Sequence, residues 1–371
     1  MEQTDSSSPG ARRSTAATVG WIALAIIPLN MAVWLYGISS PRRIEIGFFA
    51  FVALALAQLV LGIAAIVLGR RERRRSSIRF GAVAAVGAVV GGSLGVVAYG
   101  LAMLGGAAWG RPLRIRGRQT YPTLREGSDW TLGARPDPQG LDEPTRLALA
   151  ELWWHDAQKE HASVPAFARV SWLLAAAGAP AELLEWSHRA AMEEIAHTRA
   201  CFALAAGYAG RSRTVEPMPD LLLEGLSEKE DPRLLLARES LTDGCQLEDF
   251  NADVAAACAA VCEEPVTRAT LERIAREERG HAAFSWAILD WLLDAHRSTV
   301  EPALNDAIRE LDRYARPTAV SFGNRRILAA ARPDQLRSHG RLTDSEWGRM
   351  WDSRLVETKR EILRRLNLRA A

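Results

Sequence analysis

One pattern recurs twice in this chain and demands a long helix each time. Met192-Glu193-Glu194-Ile195-Ala196-His197 and Arg276-Glu277-Glu278-Arg279-Gly280-His281 both contain Glu-Glu-x-x-His, well separated along the chain. On an α-helix, residues i and i+3 leave from nearly the same side. Glu194 with His197, and Glu278 with His281, therefore each offer a carboxylate oxygen and an imidazole nitrogen to one ion. A glutamate precedes each copy at similar range: Glu160 comes before Glu194 by about as much chain as Glu248 comes before Glu278. The chain repeats one order, a helix bearing Glu and then a helix bearing Glu-x-x-His. Four such helices with their carboxylates turned inward are what a dinuclear site requires.

The local signals supply the four helices. Asp142 can cap a helix and Pro144 suits its first turn. The first helix then runs to about Ala177, before Gly178 and Pro180, and the second from about Ala181 to Ala206. A polar connection over 209–231 leads to a third helix over about 232–262, and Glu263-Glu264-Pro265 separates it from a fourth ending near His296. Two helical hairpins joined by a long crossover is a known four-helix bundle topology. No segment reads as strand. In the tail, 297–371, Thr343 and Glu346 form a capping box. Trp347, Trp351 and Leu355 follow at i+4, which predicts a fifth helix docked on the bundle.

The helical wheel, at about 100° per residue, separates the candidate ligands from look-alikes. Glu185 with His188 is another Glu-x-x-His, but Glu185 is half a turn out of phase with Glu194 and points the opposite way, among Glu182, Arg189 and Arg199. Glu194 shares its face with Ala190, Ala191, Cys201 and Ala205. The same offset sets Glu239 against Glu248 and Glu151 against Glu160. Glu160, Glu248 and Glu278 lie on stripes of apolar or small residues. Carboxylates facing inward cannot stay ionised without partners, since desolvation costs several kcal/mol per ion. Four of them with two imidazoles in one layer point to metal. His155 and His161 lack an inward Glu at i−3 and are not counted as ligands.

With these residues in place, the chain over about 145–295 resembles the ferritin-like superfamily of diiron-carboxylate proteins, which includes bacterioferritins and rubrerythrins. The resemblance is carried by Glu160, Glu194-x-x-His197, Glu248 and Glu278-x-x-His281. It implies an all-α fold and two iron ions, with manganese or mixed Mn/Fe occupancy suited to the same ligands. It implies Glu194 and Glu278 as bridges, Glu160 and Glu248 as terminal ligands or partial bridges, and one imidazole on each ion. Relatives carry Asp before the bridging Glu as an outer partner for an imidazole. Here Glu193 and Glu277 stand at those positions, with a longer side chain. Relatives often have Tyr near the metals, where this chain has Phe167 one heptad after Glu160.

The N-terminal third has a different character. Residues 1–119 hold 14 Arg, no Lys and 4 acids, and the remainder is net acidic, so the overall +2 averages two unlike parts. Three uncharged runs, 14–41, 46–69 and 80–110, each exceed the about 20 residues a membrane span needs. The expectation is three transmembrane helices at about 16–38, 46–69 and 81–107 within a module over 1–110. A linker follows over 111–141, then a bundle over 142–296 and an extension over 297–371. Gly87, Gly91 and Gly95 offer a close helix contact. The first run is too long, and lacks the exit site, for a cleaved signal peptide. Eight arginines on the N-terminal side against six on the other place the bundle outside the cytoplasm of a bacterial-type inner membrane. The arginine clusters, Arg111 among them, read as topology signals or lipid headgroup contacts. The acidic bundle argues against nucleic acid as a partner.

The full expectation is an all-α chain of three transmembrane helices, a ferritin-like four-helix bundle and a C-terminal helix, with the lipid bilayer and O2 or peroxide as partners. The first functional expectation is an oxidoreductase at a dinuclear iron site. Electrons would come from a separate donor, because the chain has no Cys-x-x-Cys pair for a rubredoxin-type iron. The alternatives are ferroxidation and iron binding at the membrane, or a metal-stabilised scaffold or sensor. Four cysteines are too few for a disulfide framework.

Overall fold

The structure is a computed structural model, and it describes residues 15–38, 41–71, 78–89, 111–115, 118–223, 230–314, 316–319 and 325–368. The chain forms two compact units, Met1–Leu104 and Gly105–Ala371.

The first unit contains α1 (Thr15–Ile38), α2 (Pro41–Arg71) and α3 over 78–89. Trp21 and Phe80 bring their rings to 5.1 Å. The backbones at Gly62 and Gly81 lie close together, and an added Cβ on either glycine would meet the other's carbonyl oxygen. Gly91 and Gly95 lie outside the described residues. Gln58 is buried and donates to the Ala84 carbonyl at 2.9 Å.

The three transmembrane helices are overturned here. No helix among the described residues is long and apolar enough to cross a membrane. Pro28 lies inside α1. The helix α2 takes Arg42, Arg43 and Glu45 into its start, ends on Arg70 and Arg71, and carries the Gln58 amide midway. Most of the third run lies outside the described residues. The multi-pass membrane location and the extracytoplasmic side assigned to the bundle are corrected with it.

The second unit is helical where the pattern places helices. Asp142 accepts from the Thr145 amide at 2.8 Å and starts α4 (Glu143–Ala177), which stops at Gly178 with φ +73°. After Pro180, α5 (Ala181–Ala209) runs to Gly210, also left-handed at φ +71°. Asp231 caps α6 (Pro232–Glu239), and Glu264 caps α8 (Pro265–Ala295). A proline occupies the first turn in each, where its missing N–H is harmless. Between α6 and α7 (Asp249–Val261) the chain widens into a π-helix, Ser240–Glu248. The helix α4 packs on α5, the α6–π–α7 element packs on α8, and α5 meets α8 across the centre.

Several details lie beyond the sequence pattern. The stretch read as a linker is folded onto the bundle. Its β1 (Arg114–Ile115) pairs antiparallel with β2 (Arg118–Gln119), and Leu113 and Ile115 pack on Ala162 and Ala166 of α4. The strand β3 (Leu124–Glu126) pairs with β4 (Arg213–Val215) of the crossover. A helix not anticipated in the tail, α9 (Arg297–Leu311), and the docked α10 (Asp344–Leu368) cover the outer side of the π-helix. Phe250 receives Trp347 and Trp351 edge-on at 5.5 and 5.2 Å. The capping box forms, with the Glu346 carboxylate accepting from the Thr343 amide at 2.9 Å. Under this cover every residue over 240–252 is buried.

Candidate metal centre

Helix direction brings the six residues together. Glu160 on α4, Glu194 and His197 on α5, Glu248 at the end of the π-helix, and Glu278 and His281 on α8 all turn into the bundle interior. All six side chains are 0% exposed. They form two overlapping quartets. Glu160, Glu194, His197 and Glu278 bring one ligand atom each to within 4.8 Å of one another, and so do Glu194, Glu248, Glu278 and His281. Glu194 and Glu278 belong to both quartets, one imidazole and one further glutamate to each.

The imidazoles turn the same nitrogen inward. His197 Nδ1 lies 3.4 Å from Glu160, 3.6 Å from Glu194 and 3.8 Å from Glu278. His281 Nδ1 lies 3.2 Å from Glu194 and 3.7 Å from Glu278. The outward nitrogens are held from the opposite helix. His197 Nε2 donates to Glu277 at 2.6 Å, and His281 Nε2 donates to Glu193 at 2.9 Å. The longer side chain at 193 and 277 therefore reaches across to the facing helix. Such outer carboxylates fix ring orientation and raise the basicity of the inward nitrogen.

The donor set is short of partners. All eight carboxylate oxygens of Glu160, Glu194, Glu248 and Glu278, and both inward Nδ1 atoms, are buried without a hydrogen bond. Buried polar atoms are nearly always satisfied, so this convergence of orphaned atoms fits a missing cationic partner.

Charge within the cluster shows the same strain. Burial, reinforced by the Glu194 carboxylate, raises Glu160 well above the usual carboxylate range. Burial and the neighbouring Glu278 do the same to Glu248. Burial also acts to raise Glu194, but His197 and His281 on either side outweigh it and hold its carboxyl low. Burial alone would lower both imidazoles. Glu160, Glu194 and Glu277 overcome it at His197, and Glu193, Glu194 and Glu278 at His281, so both stand well above the ordinary histidine value.

The look-alikes stay apart. Glu185 and His188 lie on the outer side of α5, where His188 meets Ser171 at 3.1 Å. Glu239 pairs with Arg169 and Glu151 with Arg213. His161 packs edge-on against Trp130 and His155 against Tyr121. Phe167 is buried with its ring edge-on to His281 at 5.0 Å. All four cysteines are buried and free.

Sequence reasoning missed Arg111. Read as part of a topology signal, it is buried at 2% exposure beside the centre. Its Nε lies 3.9 Å from Glu248, its Nη2 donates to Ser285 at 2.9 Å, and its guanidinium covers the Phe167 ring. Ser163 donates to the Arg111 carbonyl at 3.0 Å and ties the segment to α4. No local signal marks it, because its place depends on the linker folding back.

Comparison of the chain with family models, with characterised proteins and with solved structures gives no match.

Proposed function

We propose that the second unit is a dinuclear metal protein of the diiron-carboxylate kind, an oxidoreductase that reduces O2 or peroxide. The observation that carries this reading is the pair of quartets sharing Glu194 and Glu278. Two divalent cations among four carboxylates leave the pocket near neutral, which relieves the desolvation of buried charge. Carboxylate oxygen with imidazole nitrogen suits iron, and manganese equally. Two such ions supply paired one-electron redox steps that no side chain here offers.

The chain's own residues do the rest. Glu160 and His197 complete one position, and Glu248 and His281 the other. All six ligands are sealed from solvent, which favours a substrate as small as O2 or peroxide. Glu277 and Glu193 are 28% and 32% exposed while holding the buried imidazoles. They connect the pocket to solvent protons, which reduction of peroxide to water consumes.

The test uses the full chain. Anaerobic loading with Fe(II) is expected to give two ions per chain, and Glu278→Ala and His281→Ala each to lose metal. The loaded parent is then expected to consume peroxide repeatedly with an added reductant. Unchanged metal content in both variants sinks the site. A single round of Fe(II) oxidation without turnover would reassign the protein to ferroxidation.

A further inference from the structure

The two metal positions are alike in ligands and unlike in their surroundings. The Arg111 guanidinium lies against one of them only. Its Nε, 3.9 Å from Glu248 Oε1, is buried and has no hydrogen-bond partner. It is built in from several sides: Ser285 accepts from Nη2, the Phe167 ring lies beneath, and Ser163 holds its carbonyl. Gly244 of the π-helix leaves the space, since a Cβ there would come within 2.7 Å of Arg111 Nη2 and would collide with Ser285. Around the other quartet, Glu160 pairs with His197. The nearby Lys159 pairs with Asp156 on its own helix at 3.5 Å, and Asp156 is shared with Arg341.

Resting on the dinuclear reading above, we infer that Arg111 makes the two positions unequal, so that the Glu160/His197 position binds metal tightly and the Glu248/His281 position weakly. The reason is Coulombic. A buried cation beside Glu248 already draws on the carboxylate that the second ion must bind, and it repels that ion across a medium that screens poorly. Among the described residues, no lysine or arginine forms an ion pair with Glu160, Glu194 or Glu278. Arg111 is a positioning residue in this account and does not touch the ions.

The probe is Co(II), which binds oxygen and nitrogen ligands without redox turnover, titrated into the full chain with calorimetry and visible absorption. The parent is expected to take two Co(II) ions with affinities at least about tenfold apart, as two charges held a few ångströms apart at partial burial would give. Arg111→Met is expected to tighten the second ion by about tenfold or more and to leave the first within about threefold. Arg111→Lys is expected to keep the gap. His281→Ala should retain one tight ion and His197→Ala one weak ion. That second comparison decides the matter even if Arg111→Met fails to fold. Two equal affinities in the parent, or equal affinities in the two histidine variants, overturn the inference and leave the dinuclear reading standing. A shift of both ions together in Arg111→Met shows a general structural role and overturns it as well. If the parent binds no Co(II) that Glu278→Ala removes, the dinuclear reading itself fails.

Discussion

Each imidazole of the centre is held from the opposite helix: His197 by Glu277 of α8, and His281 by Glu193 of α5. This crossed pair ties α5 to α8 and aims both Nδ1 atoms at the shared carboxylates. Removing one outer carboxylate leaves the ligand count intact but frees a ring. Glu277→Ala is therefore expected to weaken metal binding by about 10–100-fold, read by competition with a chromogenic chelator. Glu277→Gln, which keeps a carbonyl acceptor at the same reach, is expected to lose much less. Glu185→Ala with His188→Ala serves as the contrast. That pair has the same i, i+3 spacing on the outer face of α5, and its loss should leave metal content unchanged.

At the scale of the element, the π-helix Ser240–Glu248 brings Glu248 to the axis. A π-turn widens the helix and advances the register by one residue, and such bulges cluster at functional sites. Gly244 lets Ser285 and Arg111 approach the backbone of the widened segment. Gly244→Ala should overpack this contact and destabilise the fold by about 1–3 kcal/mol, measured by denaturant unfolding. Adding Ser285→Gly should restore only part of that, since it removes the collision but also the acceptor that holds Arg111 Nη2. An unchanged midpoint in the single variant would show that the contact is loose.

The same element marks where the sequence was legible. The ends of α4, α5 and α8 follow from Asp142, Gly178, Pro180 and Glu264-Pro265. The wheel placed Glu194 apart from Glu185 because α5 is a regular helix with one outer face. For Glu248 the wheel assumed a regular turn that does not exist. The half-repeat spacing chose it over Glu239 for a sounder reason. Arg111, β3 with β4, and α9 depend on contacts distant in the chain, which periodicity does not carry. Counting uncharged residues predicted the apolar runs as spans, whereas no helix among the described residues is long and apolar enough to cross a membrane.

For the second unit as a whole, the centre sets how stability answers to pH. Without metal, His197 and His281 have folded values raised well above the ordinary histidine value of 6.5. A group raised on folding contributes stability that is complete below its unfolded value and is lost as pH climbs through its folded value. Glu160 and Glu248, also raised, act in the same direction. The depressed Glu194 acts oppositely, but its effect falls at acid pH, below the unfolded carboxylate value. The metal-free chain should therefore melt at progressively lower temperature as pH rises above about 6.5, because the protons that neutralise the cluster leave. Metal competes with those same protons, so its affinity should climb with pH. The gap in Tm between metal-loaded and metal-free protein should widen with pH, followed by calorimetry in chelated and Mn(II)-saturated samples. A gap that narrows with pH would mean the imidazoles carry no competing proton, and that something other than histidine protonation holds the four carboxylates together in the metal-free fold.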